Sequence, residues 1–146
     1  LSFFFQGTYG NKLFNQNKQQ LELLTGQQNA SVTALERWTP SNPTNVIQRA
    51  FEDPAPVNTS RYVEDASFLR LKNVTLGYNL PKALASKIRA SQIKVYVSAA
   101  NLLTFTRYTG FDPEVSRNEQ STLAQGIDYS VYPGSKSFLG GLSISF

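Results

Sequence analysis

Residues 138–146 read "FLGGLSISF", and their side chains alternate. Phe138, Gly140, Leu142, Ile144 and Phe146 fall on one face, and Gly141, Ser143 and Ser145, preceded by Ser137, fall on the other. A period of two marks a strand with one apolar and one polar face. Three earlier segments carry the same pattern. Leu1, Phe3, Phe5, Gly7 and Tyr9 oppose Ser2, Gln6, Thr8 and Gly10, with Phe4 as the exception. Val74, Leu76, Tyr78 and Leu80 oppose Asn73, Thr75, Gly77 and Asn79. Ile93, Val95, Val97, Ala99, Leu103 and Phe105 oppose Lys94, Tyr96, Ser98 and Thr104.

Each run covers roughly 9–13 residues. A strand of a soluble protein averages about 5–6, whereas a tilted membrane-spanning strand needs about 9–11. The spacing predicts strands over about 1–14, 66–80, 92–106 and 136–146. Their connections run long, short, long: about 15–65, 81–91 and 107–135. Long loops outside and short turns inside are the habit of an outer-membrane barrel. The two long loops are therefore expected at the outer face, and "PKALASKIRAS" (81–91) in the periplasm. On the apolar face Tyr9, Phe105 and Phe138 then fall at outer ends, and Tyr78 and Phe146 at inner ends, as two aromatic girdles. A soluble β-sandwich explains the alternation but neither the strand lengths nor the loop asymmetry.

Composition agrees. Of 146 residues, 16% are charged and 12% aromatic, and the net charge is +4. Soluble domains carry about 25% charged residues. The basic excess forms no Lys/Arg cluster of the kind nucleic-acid binding needs, so no nucleic acid is expected. With 0 Cys and 0 His there is no disulfide framework and no Ser-His-Asp or Cys-His triad. No apolar run reaches the roughly 20 residues of a membrane-spanning helix. Four strands cannot close a barrel, and their edges would stay unpaired, so the chain is expected to be a piece of a longer barrel.

One segment breaks the pattern. Leu69 and Leu71 sit on the polar parity of the second strand, and Arg70 and Lys72 on the apolar parity. Either a bulge near Asn73 flips the register, or the strand extends beyond the bilayer there. The expectation is extension, because cations cost little at the interface.

"RYVEDASFLRLKNVTLGYNLP" (61–81), "SAANLLTFTRYTGFDPEV" (98–115) and "YPGSKSFLGGLSISF" (132–146) together resemble the C-terminal end of SusC/RagA-type TonB-linked outer-membrane transporters of Bacteroidota. "ERWTPSNPTN" (36–45) fits the extracellular region of the same family. The resemblance implies an all-β fold, a transmembrane antiparallel barrel of about 22 strands, of which these are the last four. It implies a lumen plug, a SusD-like surface lipoprotein as lid, and a TonB complex engaged through N-terminal parts absent from this chain. It also implies assembly by the barrel-assembly machinery and contact with membrane lipids. Cargo in such a family is most often an oligosaccharide, and in some members a peptide. A glycan-binding surface β-domain that transports nothing is the rival from another class.

The resemblance also assigns roles. Gly141, Ile144 and Phe146 match the spacing of the C-terminal signal by which similar barrels are recognised during assembly, although Leu139 departs from the polar residue often found at its start. Trp38, the only Trp, lies beside Pro and Asn and is a candidate for contact with the lid or the cargo. Asp112, Glu114 and Glu119 form a carboxylate group in an outer loop. Asp112 and Glu114 are weak metal candidates, but Asp112-Pro113 after Gly110 reads first as a turn. Pro81 opens a short helix in the periplasmic turn, with Leu84 and Ile88 at i,i+4. No catalytic residue and no cofactor is expected.

Overall fold

The fold was obtained as a computed structural model, which describes residues 1–24, 29–50, 58–115 and 125–146. In chain order the elements are β1 (Ser2–Thr8), β2 (Lys12–Asn15), α1 (Gln16–Glu22), β3 (Val63–Asp65), β4 (Phe68–Asn79), α2 (Lys82–Ala85), β5 (Gln92–Thr106), β6 (Ile127–Asp128) and β7 (Ser137–Ser145). Single-turn 3₁₀ segments at Val32–Glu36, Ser60–Tyr62 and Ser86–Ile88 complete the described elements. The chain divides into two units, Leu1–Tyr9, Ser67–Arg107 and Gly134–Phe146 in one, Gly10–Ala66 and Tyr108–Pro133 in the other.

The first unit is a four-stranded antiparallel sheet in the order β1-β4-β5-β7. Residues directly opposite one another share a face. The row Phe3, Val74, Ala99 and Phe138 crosses all four strands. Below it lie Leu76, Val97 and Gly140, then Tyr78, Val95 and Leu142. Phe3, Leu76, Val97, Phe138 and Leu142 are all more than half exposed. A continuous apolar face of this size, left open by the chain itself, needs an apolar surrounding. The opposite face carries Ser2, Thr75 and Ser98 in one row, which ends at an exposed Leu139, and Asn79, Lys94 and Ser143 in another.

The misfit at Leu69–Lys72 resolves differently from the expected extension. Phe4 pairs with Asn73 and Phe5 with Leu71, so Lys72 is the extra residue of a bulge. The β4–β5 ladder shifts at the same place, where Leu71 faces Leu103 and Asn73 faces Ala100. The extra residue reverses the parity of everything before it. Leu69 joins Gly7 and Phe105, and Leu71 joins Phe5 and Leu103, on the apolar face. Arg70 moves to the polar face between Gln6 and Thr104. There it is buried, its Nε donates to Thr104 Oγ1 at 2.9 Å, and its guanidinium lies 5.6 Å from the Phe68 ring centroid. Apolar burial thus overrides simple alternation: one inserted residue keeps both leucines on the apolar face and takes the cation off it.

The strand expected over 1–14 is also shorter. It ends at Thr8, Gly10 takes a positive φ of 78°, and Lys12–Asn15 joins a different sheet. An L side chain resists that backbone conformation, so glycine marks the corner. The turn after β4 is helical, with Pro81 as its N-cap, and Arg89 closes it in the left-handed region at φ 60°. Its buried side is Ala85 and Ala90 against Ile93, flanked by Leu80, whereas Leu84 and Ile88 remain exposed. Ser91 ties the turn to β7: its backbone N–H and its hydroxyl both donate to the Ser145 carbonyl, at 2.8 and 3.0 Å.

Deleting Lys72 removes the bulge and returns Arg70 to the apolar face. One residue from Phe105, which is read as an outer girdle residue, an arginine facing lipid costs up to about 1 kcal/mol. The folded fraction of the full-length protein in membranes, read from heat-modifiable electrophoretic mobility, is expected to fall by up to about fivefold on the order of that cost.

Candidate functional site

The second unit is built from what the sequence presents as loop. β2 pairs antiparallel with β3 and parallel with β6, giving the order β3-β2-β6. Leu13, Ala66 and Tyr108 form its small apolar core, and Phe14 meets the Tyr62 ring edge-on at 6.2 Å. Polar groups fill much of the remaining interior. Asn15 caps α1, its Oδ1 accepting from Lys18 N at 2.9 Å. The helix then turns Gln19 and Glu22 inward and leaves Leu21 nearly half exposed. Gln19 donates to Asn58 Oδ1 at 3.2 Å. Arg61 grips Glu22 through Nε at 2.8 Å and Nη2 at 3.2 Å, a two-point guanidinium–carboxylate pair.

Among the described residues Asp128 is the most deeply buried carboxylate, 1% exposed. The Tyr108 hydroxyl donates to its Oδ2 at 2.6 Å, and Asn17 Nδ2 donates to its Oδ1 at 3.0 Å. Asn17 Oδ1 in turn accepts from Ser130 N at 3.0 Å. Burial, followed by the hydrogen bond to Asp128, pushes the Tyr108 phenol far above its ordinary value, so it stays a donor at any physiological pH. Glu64 forms a second node. It accepts from Thr109 N at 2.9 Å, from Thr109 Oγ1 at 2.7 Å, and from Lys18 Nζ at 2.9 Å. Burial acts to raise the Glu64 carboxyl, but the hydrogen bonds from Thr109 and Lys18 outweigh it and hold the group below its ordinary value.

Two clefts open on this unit. One, about 230 Å³, is lined by Glu22, Thr44, Asn45, Thr59, Arg61 and Tyr62 among others. The other, about 310 Å³, is bordered by Leu21, Ser31, Thr33, Gly110 and Phe111. Phe111 is 80% exposed at its rim. Trp38 is part-exposed, and its backbone N–H donates to the Ile47 carbonyl at 3.1 Å across a small turn in which Thr39 pairs with Asn42.

The expected carboxylate group is not a single site. Asp112 is buried and its Oδ1 accepts from Glu114 N at 3.0 Å, the geometry of an Asx turn, while Glu114 is exposed. Glu119 lies outside the described residues. Among the described residues no group of three or more His, Cys, Asp or Glu is placed to hold a metal ion. Tyr9, Tyr78, Phe105, Phe138 and Phe146 are each exposed by 60% or more. Gly141 and Ile144 lie within β7, opposite Tyr96 and Ile93. Sequence reasoning passed over Glu22, Glu64, Tyr108 and Asp128. Their partners lie 20 to 111 residues away, too far to read from spacing.

No family model matches the sequence. Two curated relatives from Formosa agariphila and Bacteroides thetaiotaomicron are informative. TonB-dependent receptor P3 of the former is 37% identical across 100% of this chain, which spans 15% of that protein. TonB-dependent receptor SusC of the latter is 35% identical over 58% of this chain and 8% of its own length. Among solved structures, the RagAB peptide transporter superposes with a TM-score of 0.82 at 32% identity, over 99% of this chain and 15% of the matched one. The same importer in its open-open state gives 0.77 at 31% identity.

Replacing Tyr108 by Phe removes one of the donors to buried Asp128, at a cost of about 1–3 kcal/mol. Amide exchange at residues 12–15 and 127–128 is expected to accelerate roughly tenfold or more in the full-length protein. The Glu64 contribution depends on pH. Because its folded-state value lies below the ordinary 4.5, it is fully present above that pH and is lost as pH falls through the lowered value. Glu64→Gln is expected to flatten that acid limb of the exchange profile. The matches over the whole chain and the four-stranded antiparallel sheet agree, and the chain belongs, as an outer-membrane β-barrel segment, to the SusC/RagA-type TonB-dependent receptors.

Proposed function

We propose that this chain is the wall and outer-loop segment of an energised importer that takes up oligosaccharides, working beneath a SusD-like surface lipoprotein. The single observation that carries the transport reading is the match over the whole chain, wall strands and loop unit together, to TonB-dependent receptors. The wall supplies a lipid-facing apolar surface and a lumen face of Ser, Thr and Asn side chains with Lys94 and Arg70. The short turn around α2 is periplasmic, and residues 15–65 and 107–135 serve as the outer loops. Trp38 and Phe111 offer aromatic surfaces for sugar rings or for the lid. Tyr9, Phe105 and Phe138 anchor the outer interface, and Tyr78 and Phe146 the inner one. Energy comes from TonB, and chemistry on the cargo is no part of the role.

A peptide cargo is the second reading, favoured by the superposition on the RagAB peptide transporter. Cells lacking the full-length protein, with or without an intact TonB, are compared for uptake of labelled oligosaccharides and labelled peptides. Loss of oligosaccharide uptake alone supports the first reading, and loss of peptide uptake alone the second. Unchanged uptake of both sinks the importer reading and leaves a glycan-binding surface domain. Trp38→Ala is expected to weaken lid or cargo binding roughly tenfold, as loss of a buried aromatic anchor does. Unchanged binding of both would leave Trp38 a packing residue. Deleting Phe146 is expected to lower the amount assembled while leaving transport per assembled molecule intact.

A further inference from the structure

Alternation fixes which face of β7 meets the lumen, but it leaves a degeneracy. A slip of two residues against β5 keeps every side chain on its own face. For β4 and β5 the short turn over 80–91 and the bulge at Lys72 remove that freedom. For β5 and β7 the connection is long, from Arg107 to Lys136, and turn geometry sets nothing. The hydrogen bonds that tie β7 to its surroundings do not choose either. Ser91 donates to the Ser145 carbonyl and Asn101 Nδ2 to the Ser135 carbonyl, and a backbone carbonyl two residues away would serve equally well.

One side chain does choose. Tyr96 lies opposite Gly141, and its ring lies over the glycine backbone. A Cβ at position 141 would fall inside the ring, 2.6 Å from Cε1 and closer still to Cζ and the hydroxyl. The other residues on that face of β7 are Ser137, Leu139, Ser143 and Ser145, and each carries a Cβ. A slip of two in either direction therefore drives Leu139 or Ser143 under the ring. Gly140 next door meets nothing within 4 Å, so the need for glycine is confined to one of the pair. The other neighbour of Tyr96, Gly77 on β4, is covered instead by the Lys94 stem, with Lys94 Cε 2.9 Å from the position of a Cβ. β5 thus leans one side chain over a glycine on each flank, an arrangement that shields strand glycines from solvent.

We infer that the Tyr96 ring seated over Gly141 sets the register of β7 on β5, and that position 141 must be glycine for Tyr96 rather than for a receptor that reads the strand. This goes beyond the transport reading, and it divides the three residues of the assembly signal into one register residue, Gly141, and two others, Ile144 and Phe146.

The test uses the full-length transporter in its native membrane, with the folded fraction read from heat-modifiable mobility. Gly141→Val is expected to lower that fraction roughly tenfold, as overpacking a fitted site does, while Gly140→Ala stays at the wild-type level. In a Tyr96→Ala background the Gly141→Val change is expected to cost less than twofold, on the order of an exposed substitution. Register is read separately by oxidative cross-linking. A Val97→Cys/Gly140→Cys pair is expected to close with Tyr96 and Gly141 present, and Gly141→Val is expected to spread closure among this pair, Val97→Cys/Phe138→Cys and Val97→Cys/Leu142→Cys, because no register then puts a glycine under the ring. If Gly141→Val is as damaging without the Tyr96 ring as with it, the requirement belongs to an outside reader and the inference is overturned. A harmless Gly141→Val overturns it too.

Discussion

The backbone ladder is the constraint on which the structure rests. In hydrocarbon an N–H or C=O without a partner costs several kcal/mol, because no water is there to take it. The four strands meet that demand by pairing β1-β4-β5-β7 in one antiparallel sheet. Once the ladder is fixed, side-chain position follows from it. Opposed residues share a face, so apolar rows such as Phe3, Val74, Ala99 and Phe138 form without any interior to bury them. The apolar residues of this wall are oriented by pairing and satisfied by their surroundings, the reverse of a soluble core.

The wall was legible because period two is a strong signal when it runs for ten residues. The region around Leu69–Lys72 was readable only as a contradiction. A single chain of residues does not show whether a parity break is a bulge or an extension, since both give the same letters. The neighbours decide: Phe4 and Phe5 are consecutive, yet they face Asn73 and Leu71. Gly10 is a similar case. It continued the alternation on paper, but its positive φ ends the strand.

The loop unit was nearly illegible for a different reason. Its interior is held by Asn15, Gln19, Glu22 and Asp128 as much as by Leu13 and Ala66. Hydropathy reads such residues as surface. α1 inverts the usual rule outright, with Glu22 inside on Arg61 and Leu21 outside. Only the long-range partners reveal this, and polar partners leave no periodic trace in a sequence. Asp112 shows the converse: a carboxylate that invites a metal on paper is occupied in a turn. Trp38 was visible through composition, and its part exposure leaves it available as an aromatic surface.

The inverted helix has a thermodynamic consequence. A unit held by hydrogen bonds and ion pairs uncovers little apolar surface when it opens. Apolar exposure raises heat capacity and polar exposure lowers it, so the two partly cancel here. Opening of the loop unit should therefore carry a small heat-capacity change and a shallow dependence on denaturant. Its stability varies little with temperature and strongly with salt, because Glu22–Arg61 and Glu64–Lys18 are charged pairs at the edge of solvent, and the lowered Glu64 carboxyl adds a dependence on acid. The loop unit of this chain is accordingly tuned by the ionic character of the medium more than by its warmth.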